Sequence, residues 1–299
     1  MMPQDATQAP AAGGGGRVLA LLEKLGTAVF PGVYDAVSAK LAEQAGFEMI
    51  FISGYSVSAA RLGEPDFGLV TQSEMVEAAR SVCRSVRVPV IVDADTGYGN
   101  ALNVMRTVKD LIAAGAAGMF LEDQVWPKRC GHMKGKKIVP MEEYLQKIRA
   151  AVDARAGRDF FIVARTDANQ AVGLEEAIRR VKAARDAGAD AAFVEAPNSI
   201  EELRAVASAV PPPLVANMLE RGITPLLTRE ELRELGYALA VCPLTGLYAA
   251  AKAMKEIFAE LRANGTTRGA LDKLITFDEF HDLVGLEEKY ALDAKYAAD

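Results

Sequence analysis

Short apolar segments rich in β-branched residues alternate along the chain with longer segments of helical periodicity. The apolar segments have the length of buried strands. The predicted strands are residues 28–34, 49–53, 88–93, 118–122, 160–165, 191–195, 214–217 and 239–243. The amphipathic segments predict helices at residues 36–45, 74–86, 103–114, 141–154, 174–187, 200–209, 229–235 and 247–263. This regular alternation is typical of parallel strands joined by helices.

The number and order of these units predict the α/β fold class, as a (β/α)₈ TIM-type barrel over residues 17–265. An open doubly wound sheet is the main alternative, but it usually has fewer strands, and no GxGxxG motif follows the first strand. Residues 1–16 are rich in Ala, Pro and Gly and predict a disordered tail. Residues 266–299 predict a C-terminal helical extension that is too short to form a domain.

Composition narrows the partners that we expect. The net charge is −6, which favours neither nucleic acid nor an anionic membrane surface, and no apolar run approaches the ~20 residues of a membrane span. The three scattered cysteines suit a reducing cytoplasm, and two histidines are too few for a His-rich zinc site. We therefore expect a cytoplasmic protein that binds a small molecule.

Polar residues follow most of the predicted strands, and a barrel gathers the carboxyl ends of its strands around one site. In chain order these residues are Ser53, Gly54, Tyr55, Asp93, Asp95, Glu122, Arg165, Glu195 and Asn217. The alternative is that Asp95, Asp123 and Asp167 only cap helices or turns. The agreement among so many strand ends favours an active site.

A metal site is indicated by Asp93 and Asp95, which are two residues apart and project to the same side of a regular strand. Together with Glu122 they offer hard oxygen ligands, which favour Mg²⁺, with Mn²⁺ as an alternative, over zinc. Arg165 would join the same ring of residues, where its guanidinium suits a substrate carboxylate.

Cys130 lies in a basic segment that includes Arg129, Gly131 and His132. Neighbouring cations lower a thiol pKa, and glycines allow backbone movement. These features predict a reactive thiol on a mobile loop, whereas the alternative is an inert buried thiol beside a basic turn. Most of the lysines at positions 134, 136 and 137 are expected to be solvated.

The chain resembles the isocitrate lyase and phosphoenolpyruvate mutase superfamily from about residue 30 to its C-terminal region. The resemblance is carried by Lys128-Arg129-Cys130-Gly131-His132, which matches the signature of the lyase branch, and by residues 51–60, 121–127 and 276–280. Within the family the chain is most similar to the petal death protein and 2,3-dimethylmalate lyase groups. It is also similar to the carboxyvinyl-carboxyphosphonate phosphorylmutases, through Asp93-Ala94-Asp95.

The resemblance implies a Mg²⁺-dependent C–C lyase that acts on 2-hydroxydicarboxylates, in a homotetramer whose C-terminal helices are exchanged. Its implied metal ligands are Asp93 and Asp95, with Glu122 nearby. Contacts to the keto-acid half of the substrate are implied for Ser53, Gly54, Tyr55, Arg165, Glu195 and Asn217. Cys130 is the implied proton donor, and Gly131 would contact the substrate through its backbone. His132 would orient the loop or bind a carboxylate, and Tyr55 or Glu195 would serve as the base.

Two further positions, Tyr248 and Phe277, bear on the substrate. Methylisocitrate lyases of the family are expected to have arginines there for a third carboxylate, so the aromatic residues here favour 2-alkylmalates or 2,3-dimethylmalate. Methylisocitrate cleavage is therefore a less favoured alternative. Oxaloacetate hydrolysis to oxalate and acetate, phosphonate C–P bond formation and non-catalytic binding of a dicarboxylate stay open.

Overall fold

The computed structural model describes residues 15–132 and 135–297, and its centre is a closed barrel of eight parallel strands. Each strand pairs with its neighbours in chain order, and β8 pairs with β1. The strands are β1 Ala28–Val33, β2 Ile50–Ile52, β3 Val90–Asp93, β4 Gly118–Glu122, β5 Phe161–Thr166, β6 Ala191–Val194, β7 Leu214–Asn217 and β8 Leu239–Cys242. This topology confirms the predicted (β/α)₈ barrel and excludes the open sheet.

Helices surround the barrel and extend past its last strand. They are α1 Gly16–Leu25, α2 Ala36–Gln44, α3 Gly54–Val57, α4 Gln72–Ser85, α5 Ala101–Ala114, α6 Met141–Arg155, α7 Ala168–Ala171, α8 Leu174–Asp186, α9 Ile200–Ala209, α10 Arg229–Glu234, α11 Thr245–Asn264, α12 Phe277–Val284 and α13 Leu286–Tyr296. A π-helical turn, Ser58–Leu62, follows α3, and a 3₁₀ segment, Arg268–Lys273, precedes α12. Within the described chain, no helix is long and apolar enough to cross a bilayer.

The barrel interior is apolar, and α1 covers its N-terminal end. Val18 and Leu22 of α1 pack into the same cluster as Phe51, Phe120 and Phe193, which point into the barrel. These three rings stack in sequence, with centroids 4.7 Å and then 5.5 Å apart. They form a rigid apolar floor beneath the polar residues at the strands' carboxyl ends. Of the predicted N-terminal tail, residues 1–14 lie outside the described residues.

Candidate active site

A cavity opens at the carboxyl ends of the strands. Its polar lining includes nine of the residues predicted from the sequence: Ser53, Tyr55, Asp93, Cys130, Gly131, His132, Arg165, Glu195 and Asn217. Its apolar lining is Phe51, Phe120, Phe193, Leu219, Val241, Pro243 and Leu244. Residues from six strand ends and from the Cys130 segment, which we define as residues 125–132, therefore meet at one place.

Asp93 and Asp95 are buried at the end of β3. Asp93 accepts hydrogen bonds from the backbone N–H groups of Gly54 (3.2 Å) and Asp95 (3.1 Å). Asp95 adopts a left-handed backbone conformation, with φ of 46°. Burial raises the pKa of Asp95 to about 7, although the ammonium group of Lys128 opposes the rise. The turn after β3 therefore holds two carboxylates close together in a dry environment.

Glu122, at the end of β4, is also buried, and burial raises its pKa well above the ordinary value. Its Oε2 lies 3.2 Å from Nε of Arg165, whereas the buried Oε1 has no hydrogen-bond partner among the described residues. A buried acceptor without a partner has a cost in free energy that a bound cation or its water would remove.

These carboxylates fit a hard divalent cation. Within residues 15–132 and 135–297, no three His, Cys, Asp or Glu side chains are arranged to enclose a metal by themselves. Mg²⁺ commonly takes only one or two protein carboxylates and keeps waters or substrate oxygens. Asp93, Asp95 and the unpartnered Glu122 oxygen would hold such an ion, directly or through water.

Arg165 is surrounded by acids. Its Nε lies 2.9 Å from Asp167 and 3.2 Å from Glu122, and its Nη2 lies 3.3 Å from Glu195. The guanidinium also lies 5.5 Å from the ring centroid of Phe193. Arg165 therefore neutralises and orients the acids of this site.

Asp167 was considered above as a helix cap, but its side chain makes no cap hydrogen bond. Burial alone would raise its pKa, and the charges of Arg165 and Lys136 outweigh that effect and lower it. Asp123 binds Thr166, the backbone of Asp167 and Arg180, and so supports the site from behind. Neither residue acts as a simple helix cap.

The Cys130 segment packs onto the cavity through charged and backbone contacts. Lys128 is buried, and its Nζ lies 2.6 Å from Asp66 and 2.7 Å from Asp95. The N–H of Cys130 donates to the carbonyl of Asp66 at 3.2 Å. Asp66 comes from the loop after β2, so two distant parts of the chain hold the cysteine over the site.

Cys130 does not have the lowered pKa that its basic neighbours predict. Burial raises the pKa of its thiol to about 11. This effect outweighs the charge of Lys128, whose ammonium group is paired with the buried Asp66. The expected reactive thiolate is therefore wrong for this conformation. A thiol that stays protonated is instead suited to donating a proton.

His132 is held by both ring nitrogens. Its Nδ1 accepts from the N–H of Ile223 at 3.0 Å, and its Nε2 lies 3.2 Å from Glu195 Oε1. Because Nδ1 accepts from Ile223, the ring proton lies on Nε2, which donates to Glu195 Oε1. Burial alone would raise the pKa of Glu195, but Arg165 and His132 outweigh that effect and lower it. Asn217 also donates to Glu195, at 3.2 Å.

Lys136 differs from the expected solvated lysine. It is buried, its Nζ lies 2.8 Å from Asp167 Oδ1, and it also donates to the carbonyl oxygen of Gly131. Lys137, next in the chain, is exposed as expected. Lys134 lies outside the described residues. Lys136 thus links the end of the Cys130 segment to the acids around Arg165.

The two aromatic positions invoked for substrate choice lie in different places. Tyr248 of α11 is 42% exposed and contacts Tyr55, which lines the cavity; burial and this contact raise the pKa of Tyr248 to about 12. Phe277 is 76% exposed and packs against His281 within α12. Within one chain the structure does not bring Phe277 to the cavity, because α12 packs on α2.

Sequence reasoning did not assign site roles to Asp66, Lys128, Lys136 or the apolar residues Leu219 and Leu244. Lys128 belongs to the signature motif, but its pairing with Asp66 and Asp95 could not be predicted, because those partners are distant in sequence. The same holds for Lys136 and Asp167. The number of acidic residues expected at the strand ends could have indicated buried lysines or arginines nearby, because buried carboxylates require cationic partners.

Three comparisons with known proteins agree with this geometry. Residues 18–262 match the family model described as phosphoenolpyruvate phosphomutase. The chain is 53% identical to the chloroplastic carboxyvinyl-carboxyphosphonate phosphorylmutase of Arabidopsis thaliana, over 93% of this chain and 83% of that protein. It is 51% identical to the petal death protein of Dianthus caryophyllus, over 92% and 87% of the two chains.

Relatives with other activities match to a similar extent. The chain is 47% identical to the 2,3-dimethylmalate lyase of Eubacterium barkeri, over 90% of this chain and 93% of that protein. It is also 47% identical to the 2-methylisocitrate lyase of Aeropyrum pernix, over 92% and 88%.

Solved structures superpose over nearly the whole chain. An oxaloacetate acetylhydrolase with a bound inhibitor has a TM-score of 0.90 at 37% identity and covers 95% of this chain and 97% of that one. A 2,3-dimethylmalate lyase has a TM-score of 0.89 at 38% identity, with 97% of each chain covered. A phosphonopyruvate hydrolase in complex with oxalate and Mg²⁺ has a TM-score of 0.84 at 34% identity, covering 95% and 99%. The chain is therefore an enzyme of the phosphoenolpyruvate mutase and isocitrate lyase superfamily.

Proposed function

We propose that the protein is a Mg²⁺-dependent C–C lyase that cleaves 2-hydroxydicarboxylates of the 2-alkylmalate or 2,3-dimethylmalate type. The products are an α-keto acid and a carboxylic acid. One observation carries the proposal: Cys130, whose thiol pKa is raised by burial to about 11, lines the same cavity as Asp93, Arg165, Glu195 and Asn217. This arrangement provides a proton donor, a base and polar groups for a 2-hydroxy acid.

The proposed reaction needs one base and one acid. Glu195 or Tyr55, which both line the cavity, would accept the proton of the 2-hydroxyl group. The C2–C3 bond then breaks, C2 becomes the keto carbon, and the electron pair moves to the departing fragment. Cys130 donates its proton to the carbon of that fragment, and the thiolate later recovers a proton from water.

Asp93, Asp95 and Glu122 are proposed to hold the metal. When bound, Mg²⁺ supplies Lewis-acid stabilisation of the negative charge on the substrate oxygens. Ser53, Gly54 and Asn217 would fix the keto-acid half, and the backbone of Gly131 and the ring of His132 would complete the binding site. The Cys130 segment covers the cavity and limits the access of water.

The shape and charge of the cavity support a dicarboxylate with alkyl groups. Leu219, Val241 and Leu244 provide an apolar wall. Among the described residues, the buried cations closest to the cavity are Lys128, Lys136 and Arg165, and each already contacts a protein carboxylate. Arg165, which lines the cavity, and a bound metal ion would serve two substrate carboxylates, whereas a third would meet no further lysine or arginine among the described lining residues. An unpaired buried charge is costly.

The test is a Mg²⁺-dependent screen of 2-hydroxydicarboxylates and oxaloacetate, with separate assays for keto acids and oxalate. We expect kcat/KM for 2,3-dimethylmalate or a 2-alkylmalate to exceed that for 2-methylisocitrate. Comparable values for the two classes would contradict the substrate assignment.

Three other reactions have support from similar proteins. The similarity to oxaloacetate acetylhydrolase favours oxaloacetate hydrolysis as an alternative, which oxalate release would detect. The similarity to a carboxyvinyl-carboxyphosphonate phosphorylmutase favours C–P bond formation, which ³¹P NMR would detect. Methylisocitrate cleavage is a third alternative, given the Aeropyrum relative.

We also propose a homotetramer in which C-terminal helices are exchanged between copies. None of the residues of α11 is buried in the single chain, and Met254, Phe258 and Leu261 are exposed. Beside α11, an apolar groove is lined by residues of β1, α2 and α11 itself. A neighbouring copy would cover this surface and could bring its Phe277 towards the site. A cytoplasmic location stays a prediction.

A further inference from the structure

Gln124 makes two hydrogen bonds to the backbone of a single residue. It lies two residues after the end of β4 and is 1% exposed. Its Nε2 donates to the carbonyl oxygen of Arg129 at 2.8 Å, and its Oε1 accepts from the N–H of Arg129 at 3.0 Å. One side-chain amide therefore satisfies both backbone groups of the residue that precedes Cys130.

The backbone of Gln124 is itself fixed. Gln124 forms an isolated antiparallel bridge with Ile138, and the N–H of Val125 donates to the carbonyl of Lys137 at 2.8 Å. The side-chain amide therefore extends from a fixed backbone and holds the backbone of Arg129 in place relative to β4. Next along the chain, the N–H of Cys130 donates to Asp66. The backbone that carries the thiol is held from two directions.

We propose that Gln124 is the positioning residue for Cys130. It is not among the residues that line the cavity, so it acts through Arg129 and does not touch the substrate. This inference rests on the proposed function, in which Cys130 donates a proton to the departing carbon. Proton transfer needs the donor within hydrogen-bond reach of its target, so a fixed thiol favours turnover.

The geometry requires an amide. Glutamate has the same shape but cannot donate to the carbonyl of Arg129, and methionine has a similar length but makes neither hydrogen bond. A role in packing alone would tolerate either residue. Loss of these bonds should reduce the population of the positioned segment on the order of 10- to 100-fold.

The experiment compares Q124M and Q124E with wild type and with Q146M, a matched control on the exposed face of α6. We expect kcat for 2,3-dimethylmalate with Mg²⁺ to fall on the order of 10- to 100-fold in both Gln124 variants. KM should rise by a smaller factor than kcat falls, because most of the proposed substrate contacts come from the strand ends and only Gly131 and His132 lie in the released segment. Q146M should behave like wild type.

Two readouts do not depend on activity. Trypsin should cleave after Lys128 and Arg129 faster in both Gln124 variants, as followed by mass spectrometry. Trp126, the single tryptophan in the sequence, packs edge-on against Tyr98 with centroids 5.9 Å apart, so its fluorescence should change when the segment is released. Thermal unfolding measures the folded fraction of each variant.

The proposal would be overturned if Q124M and Q124E both had the kcat and the trypsin cleavage rate of wild type. It would also be overturned if Q124E alone had the wild-type values of both quantities. Losses of kcat that only follow the unfolded fraction would overturn it as well. If Q124M does not fold, Q124E gives the same test. If wild type cleaves none of the 2-hydroxydicarboxylates, the proposed function fails, whereas trypsin and fluorescence still decide whether Gln124 holds the segment.

Discussion

The Cys130 thiol shares a cavity with Tyr55, Arg165 and Glu195, and its surroundings decide whether it donates a proton or attacks as a nucleophile. A nucleophilic cysteine needs its thiolate form. Burial raises the pKa of Cys130 to about 11, so the thiol is protonated at neutral pH. The neighbouring Lys128, which suggested the opposite from the sequence, is engaged by Asp66 and Asp95. At the scale of single residues, the structure favours an acid.

The pH dependence of turnover tests this assignment. The active form of Cys130 is the protonated thiol, and a raised pKa keeps the thiol protonated up to a higher pH. Its contribution to turnover should therefore be lost only as pH rises through about 11. We therefore expect kcat to show no alkaline decline due to Cys130 below about pH 10. The measurement is kcat from pH 6 to 10. A decline near the ordinary thiol value of about 8.5 that moves in C130S would contradict the assignment.

Gly131 offers a second test, because there is no room for a side chain there. A Cβ at this position would lie 2.6 Å from Arg165 Nη2 and 2.6 Å from Glu195 Cδ. We expect G131A to lower kcat on the order of 100-fold by displacing these groups, with a small change in thermal stability.

The matched control for G131A is G16A, because a Cβ on Gly16 meets no atom within 4 Å. Wild-type turnover in G131A would show that the Cys130 segment does not close on Arg165 and Glu195 as described.

At the scale of elements, the strands could be predicted closely from the sequence because each is a short and mostly buried run between helical segments. The predicted residues 118–122 and 214–217 coincide with β4 and β7. Helix α1 is not among the predicted helices, because it directly follows a glycine-rich run that predicts a tail, although it buries Val18 and Leu22. The packing of the Cys130 segment was also hidden, since it depends on partners such as Asp66 and Asp167 that are far away in sequence.

Lys136 and Lys137 allow a paired test of that packing. Lys136 is buried against Asp167, whereas Lys137 is exposed. We expect K136M to leave Asp167 with one cation fewer, to destabilise the fold by about 3 kcal/mol and to lower kcat, because breaking one side of a buried ion pair is costly. K137M should be close to neutral. Chemical denaturation measures the free energy of unfolding, and steady-state kinetics measure kcat. Equal values of both quantities in K136M and K137M would contradict the buried ion pair of Lys136.

At the scale of the whole molecule, α11, α12 and α13 carry large apolar residues that a single chain leaves in water. Phe258 is 61% exposed and Tyr296 is 75% exposed. Exposed apolar surface of this extent usually marks an interface. The proposed exchange of C-terminal helices would cover it, and it would also explain why Phe277 lies away from the cavity of its own chain.

The F258E variant tests the interface. We expect it to dissociate the tetramer into smaller species, because a charge at this position would be buried without a partner. Light scattering coupled to size-exclusion chromatography gives the mass, and K252Q, on an exposed lysine of the same helix, is the control. A wild-type protein that is monomeric, or an F258E tetramer, would rule out the proposed contact.

The central claim is that Cys130 protonates carbon in a Mg²⁺-dependent cleavage of a 2-hydroxydicarboxylate. The most direct measurement is keto-acid formation from 2,3-dimethylmalate by wild type and C130S, each with Mg²⁺ and with a chelator. We predict turnover by wild type only with Mg²⁺, and a loss of about 10²- to 10⁴-fold in C130S, because serine is a much weaker acid. Full turnover by C130S, or turnover that the chelator leaves unchanged, would contradict the claim.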